Sequence, residues 1–286
     1  MIASLELSFW LTLALAFPAA GFLIRLFIIF HDCGHGSFFK RRKINDAVGI
    51  FLGVLTFTPY YAWHRAHAVH HRTVGDLDRR GIGDVWTLTV KEYRNLGFWK
   101  RITYRLYRHP LVMFGLGAFF LFLIRNRFGL KAMNRRERIN AILTNLGILA
   151  IALVVSLTMG IKTYVLIQLP ILYLASVAGV WLFYVQHQFD GVHWFHHAQW
   201  DYKTLALQGC SFYKLPGLLQ WFTGNIGFHH IHHLSPRIPN YKLAACHYEN
   251  RMFADIQPLT LKTSLQSLRL GLWDEQKQQL VGFKVS

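Results

Sequence analysis

Eight histidines that fall into three short clusters are the side chains of this chain best suited to chemistry. Within each cluster they are three or four residues apart, so a helix would present them on one face. The clusters are His31 and His35; His67, His70 and His71; and His229, His232 and His233. Neutral imidazole binds zinc, copper, iron and nickel, and eight imidazoles exceed the needs of one four-coordinate zinc. The clusters therefore predict a centre that holds a pair of metal ions.

A fourth group of histidines competes with these clusters. His193, His196 and His197 repeat the i, i+3, i+4 spacing of the last two clusters. They are either further metal ligands or a polar stretch at a membrane interface, and spacing alone does not separate the two interpretations. His187 precedes them near the end of a long apolar segment, where an ionisable side chain is a candidate functional residue.

Other polar residues lie close to the clusters in sequence. His64 is in phase with the second cluster, but the tighter triplet is favoured and His64 is expected to lie beside the site. On a helix His230 would point about 100° away from the preceding ligand, so it is not expected to bind metal. Asp32 is a candidate acceptor for the N–H of a ligand histidine, and Cys33 is expected to be a small filler residue.

Three apolar segments are long enough to cross a membrane as helices, which takes about 20 residues. They cover residues 8–30, 139–159 and 164–185. Two shorter apolar runs, 47–60 and 111–124, are expected to be re-entrant or interfacial. The chain is 53% hydrophobic and only 16% charged, against about a quarter charged in soluble domains. We therefore predict an all-α integral membrane protein.

The basic residues predict how these spans are oriented. Lysines and arginines are frequent between residues 31 and 138, whereas the short loop 160–163 carries only Lys162. By the positive-inside rule, 31–138 is cytoplasmic and the loop is external. Three crossings then leave all three clusters on the cytoplasmic side, whereas a crossing by one of the shorter runs alone would separate them.

The polar remainder of the chain, residues 186–286, is expected to form a helical cytoplasmic cap that helps to hold the metal centre. Its tail, 262–286, predicts a weak amphipathic helix followed by an extended end. No internal repeat, low-complexity segment or additional carrier domain is evident, so residues 1–286 are expected to form a single domain.

Several other classes of protein are disfavoured. The net charge of +17, from 31 basic and 14 acidic residues, would suit a nucleic-acid-binding protein. The basic residues flank apolar spans, however, so nucleic acid is not an expected partner. The sequence has no Glu-x-x-His and no His-Glu-x-x-His motif, which disfavours carboxylate-bridged di-iron bundles and metalloproteases. Three cysteines without a C-x-x-C pair suit free thiols in a reducing compartment.

The clusters and the strings around them resemble the histidine boxes of the integral-membrane fatty acid desaturases. The second cluster is followed at 75–86 by GDLDRRGIGDVW. The third is framed at 208–216 by QGCSFYKLP and at 221–241 by WFTGNIGFHHIHHLSPRIPNY. These strings are most similar to bacterial acyl-lipid desaturases of the delta-12/omega-6 type, from about residue 5 to residue 249.

The resemblance implies a fold, a chemistry and a set of partners. The third box would be the cluster at 229–233 instead of the group at 193–197, and His187 would supply a ninth ligand. Nine histidines would hold two irons, which use O2 and two electrons to insert a cis double bond into a lipid-linked acyl chain. A small acidic ferredoxin is the expected electron donor, because the cytoplasmic face is basic. The protein would be a multi-pass protein of the bacterial inner membrane, surrounded by membrane lipid, with its active site on the cytoplasmic face.

Two departures from the family pattern bear on whether the chain is active. Family members usually carry another apolar span before the first box, whereas this chain starts almost at the second span, as a natural short form, a misassigned start or a fragment. They also tend to have an acidic pair soon after the position of His187, where only Asp190 remains. An inactive relative with a scaffold role is therefore a competing hypothesis.

A different reaction or a different class of protein would also suit histidines in a membrane protein. A hydroxylase, acetylenase or carotenoid ketolase would use the same scaffold, and the residues that line the substrate would decide among them. A histidine-rich metal transporter or metal-binding membrane protein would carry polar or ionisable residues within several spans. The segments 139–159 and 164–185 carry almost none, which disfavours transport.

Overall fold

The computed structural model describes residues 1–81, 83–129 and 133–285, and most of them are helical. The helices are α1 (Ile2–Leu7), α2 (Phe9–His35), α3 (Arg42–Leu55), α4 (Tyr60–Thr73), α5 (Val90–Arg94), α6 (Phe98–Arg108), α7 (Leu111–Phe128), α8 (Arg135–Met159), α9 (Ile161–His187), α10 (Tyr202–Gln208), α11 (Gly217–Phe222), α12 (His229–Leu234), α13 (Asn240–Glu249) and α14 (Leu261–Ser264). The strands are β1 (Leu88–Thr89), β2 (Phe212–Tyr213), β3 (Pro258–Leu259), β4 (Leu272–Asp274) and β5 (Gln279–Val281).

Among the described residues, four helices are long and apolar enough to cross a membrane, namely α2, α7, α8 and α9. Their most apolar stretches have mean hydropathies of 2.3, 1.6, 2.2 and 2.0 respectively. A capping box formed by Asn134 and Glu137 begins α8, and Gly160, with a φ of 84°, separates it from α9. The prediction of a helical fold with membrane-spanning segments is confirmed.

The helix α7 is longer than the sequence predicts. The apolar run 111–124 is expected to be a short re-entrant or interfacial segment, whereas the structure has an 18-residue helix. Within it Leu111–Gly117 and Leu121–Arg125 are π-helical, a conformation rare in α-helices. The other short run, 47–60, forms the end of α3, a connection and the first residue of α4.

One of two compact units contains Met1–His64, Phe114–Val180 and Trp221–Gly224. In this unit α2 packs against α3, and the fully buried ring of Tyr60 lies in the core beside them. The Tyr60 hydroxyl donates a hydrogen bond of 2.7 Å to the carbonyl oxygen of Cys33. The cluster-bearing end of α2 is thereby tied to the start of α4.

A glycine permits this close packing. A Cβ atom on Gly49 of α3 would lie 2.2 Å from the ring of Tyr60, well inside van der Waals contact. Cys33 is also fully buried in this core, between Phe30 and Leu52, where it acts as a small apolar filler.

The second unit is built from the described parts of Arg65–Met113, Trp181–Gln220 and Asn225–Ser286. It contains a three-stranded sheet in the order β1-β4-β5, in which β1 and β4 are parallel and β4 and β5 antiparallel. A second, parallel sheet pairs β2 with β3. The buried ring of Trp273 on β4 stacks on Trp194 at a centroid distance of 5.2 Å, which forms one core of this unit.

The tail of the chain differs from its prediction. In place of one amphipathic helix and an extended end, it forms the short helix α14, a 3-10 turn at Leu265–Arg269 and the hairpin of β4 and β5. The strand β4, which pairs with β1, therefore comes from this region, whereas β3, which pairs with β2, immediately precedes it. Pairings of two or three residues between distant segments leave no periodic pattern that a sequence could reveal.

A buried arginine fixes the end of α9 within the second unit. The guanidinium of Arg108 donates to Oε1 of Gln188 at 3.1 Å, to the hydroxyl of Tyr184 at 3.2 Å and to the carbonyl oxygen of Leu270 at 2.9 Å. A buried charge needs such a set of acceptors to offset its desolvation. Arg108 thus joins α6, the tail and the last turn of α9, which carries His187.

Candidate metal centre

The helix α4 presents the second histidine cluster on one face. His67 and His71 are one turn apart, and their Nε2 atoms lie 3.0 Å from each other. His70 and His71 are almost completely buried, with 1% and 6% of their surface exposed. The spacing in the sequence therefore predicts the shared face correctly.

The third cluster lies on the short helix α12, all of whose histidines are buried. A close backbone contact positions its start, because the N–H of Tyr213 donates to the carbonyl oxygen of Gly227 at 2.7 Å. A Cβ atom on Gly227 would lie 2.2 Å from the carbonyl oxygen of Tyr213, so a glycine is required at this point. Phe228 then stacks on Phe212 at 4.8 Å, and His229 follows at the first position of the helix.

Four of the histidines in the second unit form one group. Nε2 of His187 lies 3.1 Å from Nε2 of His70 and 2.9 Å from Nε2 of His229. The ring of His233 is within 5.0 Å of all three rings, measured between centroids. One ligand nitrogen from each of the four lies within 4.8 Å of the others, so together they could hold a metal ion.

Three further histidines of the same unit form a second group. Nε2 of His71 lies 3.0 Å from Nε2 of His67 and 3.0 Å from Nε2 of His232. Six of the seven histidines lie on α4 and α12, where members of the two groups alternate; His70 and His71, for example, are adjacent but belong to different groups. Two neighbouring sites are thus assembled from the same two helices and the end of α9.

The distances within the groups fit metal ligation better than hydrogen bonding. An Nε2 atom has either one proton or one lone pair, so it cannot make two good hydrogen bonds in the plane of its ring. Both His187 and His71 nevertheless face two other nitrogens at 2.9–3.1 Å. Two imidazole nitrogens that are each about 2.1 Å from one ion are about 3.0 Å apart at right angles and about 3.4 Å apart at a tetrahedral angle. The observed separations are therefore close to those expected of imidazoles that would bind one ion.

His233 adds a second indication. Its side chain is fully buried, and neither ring nitrogen has a hydrogen-bond partner among the residues that the structure describes. Burial, and then the neighbouring His71, His229, His187 and His70, hold the pKa of His233 well below 6.5. The ring is therefore neutral, which is the form that binds a metal ion. Burying an imidazole whose nitrogens lack partners costs free energy, and a bound metal ion would offset that cost.

The first cluster lies in the other unit, at the last turn of α2. The rings of His31 and His35 are 4.8 Å apart between centroids, and Oδ1 of Asp32 is 3.1 Å from Nδ1 of His31. Gly36, with a φ of 71°, caps the helix immediately after His35. The two histidines are therefore paired on one face, with an acceptor that orients one of them.

The end of α9 carries His187, and its other ring nitrogen faces a thiol. Sγ of Cys210 is 3.7 Å from Nδ1 of His187, on the side away from His70 and His229. Burial raises the pKa of the Cys210 thiol well above 9.0, so the sulfur stays protonated. Cys210 thus contacts and orients the ring of His187, a role that its sequence position did not suggest.

The group at 193–197 makes carboxylate contacts instead. Nδ1 and Nε2 of His196 lie 2.9 Å from Asp78 and 3.2 Å from Glu275, and Nδ1 of His197 lies 2.8 Å from Asp76. These two side chains are about half exposed, and neither belongs to a metal-binding group of the described residues. His193 belongs to no such group either.

The histidines set aside from the clusters have other surroundings. His230 points away from both groups and lies 3.2 Å from Nδ1 of His247. Burial, with His247 as the second cause, lowers its pKa to about 3. His64 is outside the metal-binding groups of the described residues, and burial lowers its pKa below 6.5.

A small cavity adjoins the first group. Its volume is about 20 Å³, and its lining includes His70, His187, Phe183, Gln188 and Trp194. One water molecule needs about 10–15 Å³ of such space. The cavity is therefore large enough for a single small molecule beside two of the four imidazoles.

Comparison with known proteins points to one family. A family model described as "Fatty acid desaturase" matches residues 8–263. A protein of Bacillus subtilis named "Fatty acid desaturase" is 51% identical over 98% of this chain and 80% of its own length. "Omega-3 fatty acid desaturase, endoplasmic reticulum" of Vigna radiata is 29% identical over 85% of this chain and 66% of its own length. "sn-1 acyl-lipid omega-3 desaturase (ferredoxin)" of Synechocystis sp. is 28% identical over 76% and 61%. The chain thus spans less than two thirds of these last two relatives.

Proposed function

The chain belongs to the fatty acid desaturase family, and from this membership we propose that it inserts a cis double bond into a lipid-linked acyl chain. The predictions of this family, of an oxidoreductase and of a membrane protein are confirmed. The position of the double bond is the finer part of the proposal. We propose the delta-12/omega-6 position, on the strings that flank the second and third boxes. Omega-3, the position in the names of the plant and cyanobacterial relatives, is the competing outcome.

The proposal rests on one observation above all, which is the two groups of converging imidazoles. We propose that they bind two irons, the pair that this family generally carries. The ligands would be the seven histidines of these groups, His67, His70, His71, His187, His229, His232 and His233, together with His31 and His35 of the first cluster. The support is that His187 and His71 each face two other nitrogens at ligand-like distances. The all-nitrogen donor set also suits iron, since imidazole is among its usual ligands.

The side chains around the groups prepare the site for this chemistry. Two irons would supply the means to reduce O2 with two electrons while two hydrogens are removed from neighbouring methylenes. Burial keeps the imidazole of His233 neutral, so no proton has to leave this ring before an ion binds. The cavity beside His70 and His187 has space for one small molecule and excludes a larger volume of water.

We propose a topology in which α8 and α9 cross the membrane and α7 does not. The nitrogens of His70 and His187 are 3.1 Å apart, so these residues lie on the same side of any bilayer. Three candidate spans separate them along the chain, and an odd number of crossings would place them on opposite sides. The helix α7 has the lowest mean hydropathy, 1.6, and contains π-helical turns, which supports a re-entrant or interfacial placement. The basic residues of 31–138 favour the cytoplasmic side for the metal centre, in a bacterial inner membrane.

Electrons must reach the metal centre from a partner, and we propose a ferredoxin. Support comes from the net charge of +17 and from exposed basic residues of α6, including Lys100, Arg101 and Arg105. A small acidic carrier is attracted to such a surface. The name of the Synechocystis relative also includes ferredoxin.

The experiment is a fatty acid profile of a bacterial host that expresses the chain with a ferredoxin and its reductase. The arms are the unchanged chain, His229→Gln in the first group and the matched control His196→Gln. A new unsaturated acyl chain in the first and third arms alone, located by mass spectrometry, is expected. A hydroxylated product would assign the chain to a sister oxygenase. No new product from membranes whose protein carries two irons per chain would refute desaturation.

A further inference from the structure

A groove lies in the first unit, away from the histidines, between α3, the start of α4 and the first turns of α8. Its volume is about 400 Å³. Its lining includes Ile50, Tyr61, Arg135, Arg136, Ile139 and Leu143. Among the described residues, the lining therefore combines two cations at one end with aliphatic side chains and includes no carboxylate.

The dimensions of the groove match the upper part of a lipid. Arg135 begins the spanning helix α8, and Leu143 is eight residues further on, which is about 12 Å along the axis at 1.5 Å per residue. The interfacial layer on each side of a bilayer is roughly 5–8 Å thick. In the proposed topology, in which α8 crosses the membrane, the arginines would lie at the depth of lipid phosphates and Leu143 within the hydrocarbon. Ile139 and Leu143 are 49% and 56% exposed, as expected of side chains that face acyl chains.

The two arginines are prepared to bind an anion. The guanidinium of Arg136 donates to the hydroxyl of Tyr61 at 2.6 Å and lies 3.8 Å above its ring, so its position is fixed. The side chain of Arg135 is exposed and makes no hydrogen bond or ion pair with any residue that the structure describes. Asp46 is 3.9 Å from Arg136 but is already paired with Arg42 at 3.0 Å. The cationic end of the groove therefore retains unbalanced positive charge.

We propose that this groove is a binding site for an anionic phospholipid of the host membrane. The phosphate binds Arg135 and Arg136, and the first methylenes of an acyl chain pack on Ile139 and Leu143. A soluble anion would use only the cationic end and leave the aliphatic half empty. A zwitterionic lipid such as phosphatidylcholine offers the same phosphate, but its quaternary ammonium group adds a positive charge beside the two guanidinium groups and so weakens binding. The site does not depend on the proposed desaturation, because it requires neither the metal ions nor turnover.

The test is native mass spectrometry of the whole purified chain in detergent, titrated with phosphatidylglycerol and, in parallel, with phosphatidylcholine. We expect phosphatidylglycerol to bind more tightly. Arg135→Gln should weaken it about five-fold, because one basic residue at a membrane surface contributes about 1 kcal/mol. Leu143→Trp leaves the charge unchanged but fills the aliphatic half, and it should weaken both lipids.

The matched control is Arg138→Gln, which removes the same charge from the same helix outside the groove. It should bind phosphatidylglycerol as the unchanged chain does. An equal loss in Arg135→Gln and Arg138→Gln would mean diffuse charge attraction and would overturn the site. If Leu143→Trp bound phosphatidylglycerol as tightly as the unchanged chain does, the proposed acyl-chain contact would be wrong. The groove would then be a site for an anion and not for a phospholipid. Loss of desaturation with intact lipid binding would bear on the proposed function alone.

Discussion

A single methyl group at Gly227 should disable the metal centre without touching a ligand. The Cβ atom of Gly227→Ala would lie 2.2 Å from the carbonyl oxygen of Tyr213. Cβ contacts shorter than 3.0 Å essentially never occur and ordinary contact begins at 3.4 Å, so the two backbones must separate by about 1 Å. That movement breaks the hydrogen bond of 2.7 Å from the Tyr213 N–H to the Gly227 carbonyl oxygen. Both residues are buried, so water cannot replace the lost partner.

The cost follows from these two changes. An unsatisfied buried backbone group costs about 1–3 kcal/mol, and overpacking a tight contact costs a further 1–3 kcal/mol. The free energy of unfolding should therefore fall by about 2–6 kcal/mol. The shift should also reach His229, a proposed ligand two residues later, and metal–ligand distances vary by only about 0.2 Å. Iron binding should consequently decrease at temperatures where the protein is still folded.

The assay measures iron per chain by elemental analysis and thermal unfolding in detergent, side by side. The control is Gly217→Ala, since a Cβ atom at Gly217 would meet nothing within 4 Å. Its iron content and unfolding temperature should equal those of the unchanged chain or slightly exceed them. If Gly227→Ala kept the iron content and unfolding temperature of this control, the argument that the Tyr213 contact positions the third box would be wrong.

Three further outcomes are expected. Arg108→Met keeps the apolar stem but strips several buried acceptors of their donor, so it should cost about 3 kcal/mol in chemical unfolding, whereas the exposed Lys100→Met should cost little. Gly49→Ala places a methyl 2.2 Å from a buried tyrosine ring and should lower the unfolding temperature by several degrees; an unchanged value would show that the ring can move. The hydrogen bonds of His196 to Asp78 and Glu275 raise its pKa, so its stabilising contribution is present below about pH 6.5 and is lost as the pH rises through the raised pKa. His196→Gln should therefore lower the unfolding temperature slightly at pH 5.5 and leave it unchanged at pH 9, and an equal effect at both would contradict a charged His196.

The spacing of the histidines predicts most of the metal centre because a helix converts intervals of three and four residues into a shared face. Spacing does not reveal which neighbour serves which group. His70 and His71 are adjacent in sequence, yet they join different sets of ligands. That division depends on where α12 and the end of α9 approach α4, and no local pattern specifies it.

The group at 193–197 shows that histidine spacing alone does not identify metal ligands. It repeats the interval of the third cluster, but its partners are the carboxylates of Asp76, Asp78 and Glu275, which are 79 to 121 residues away. The structural roles of Arg108 and Cys210 could not be predicted either, because they depend on contacts with residues 23 to 162 positions away in the sequence. The apolar spans and the histidine boxes are defined by residues that are close together in the sequence. They are therefore the features that could be predicted from it.

The convergence of His70 and His187 also sets an order of events during synthesis. These two residues are 117 positions apart, and the second must emerge from the ribosome before the pair can exist. At 5–20 residues per second this delay is on the order of ten seconds. Closing a loop of that length carries an entropic cost of roughly 4–5 kcal/mol. An ion bound by both residues would then keep the loop closed, much as a covalent cross-link does. In the proposed metal centre, an ion that joins these two residues can bind only after His187 has been made, and a chain without its ions would be easier to reopen.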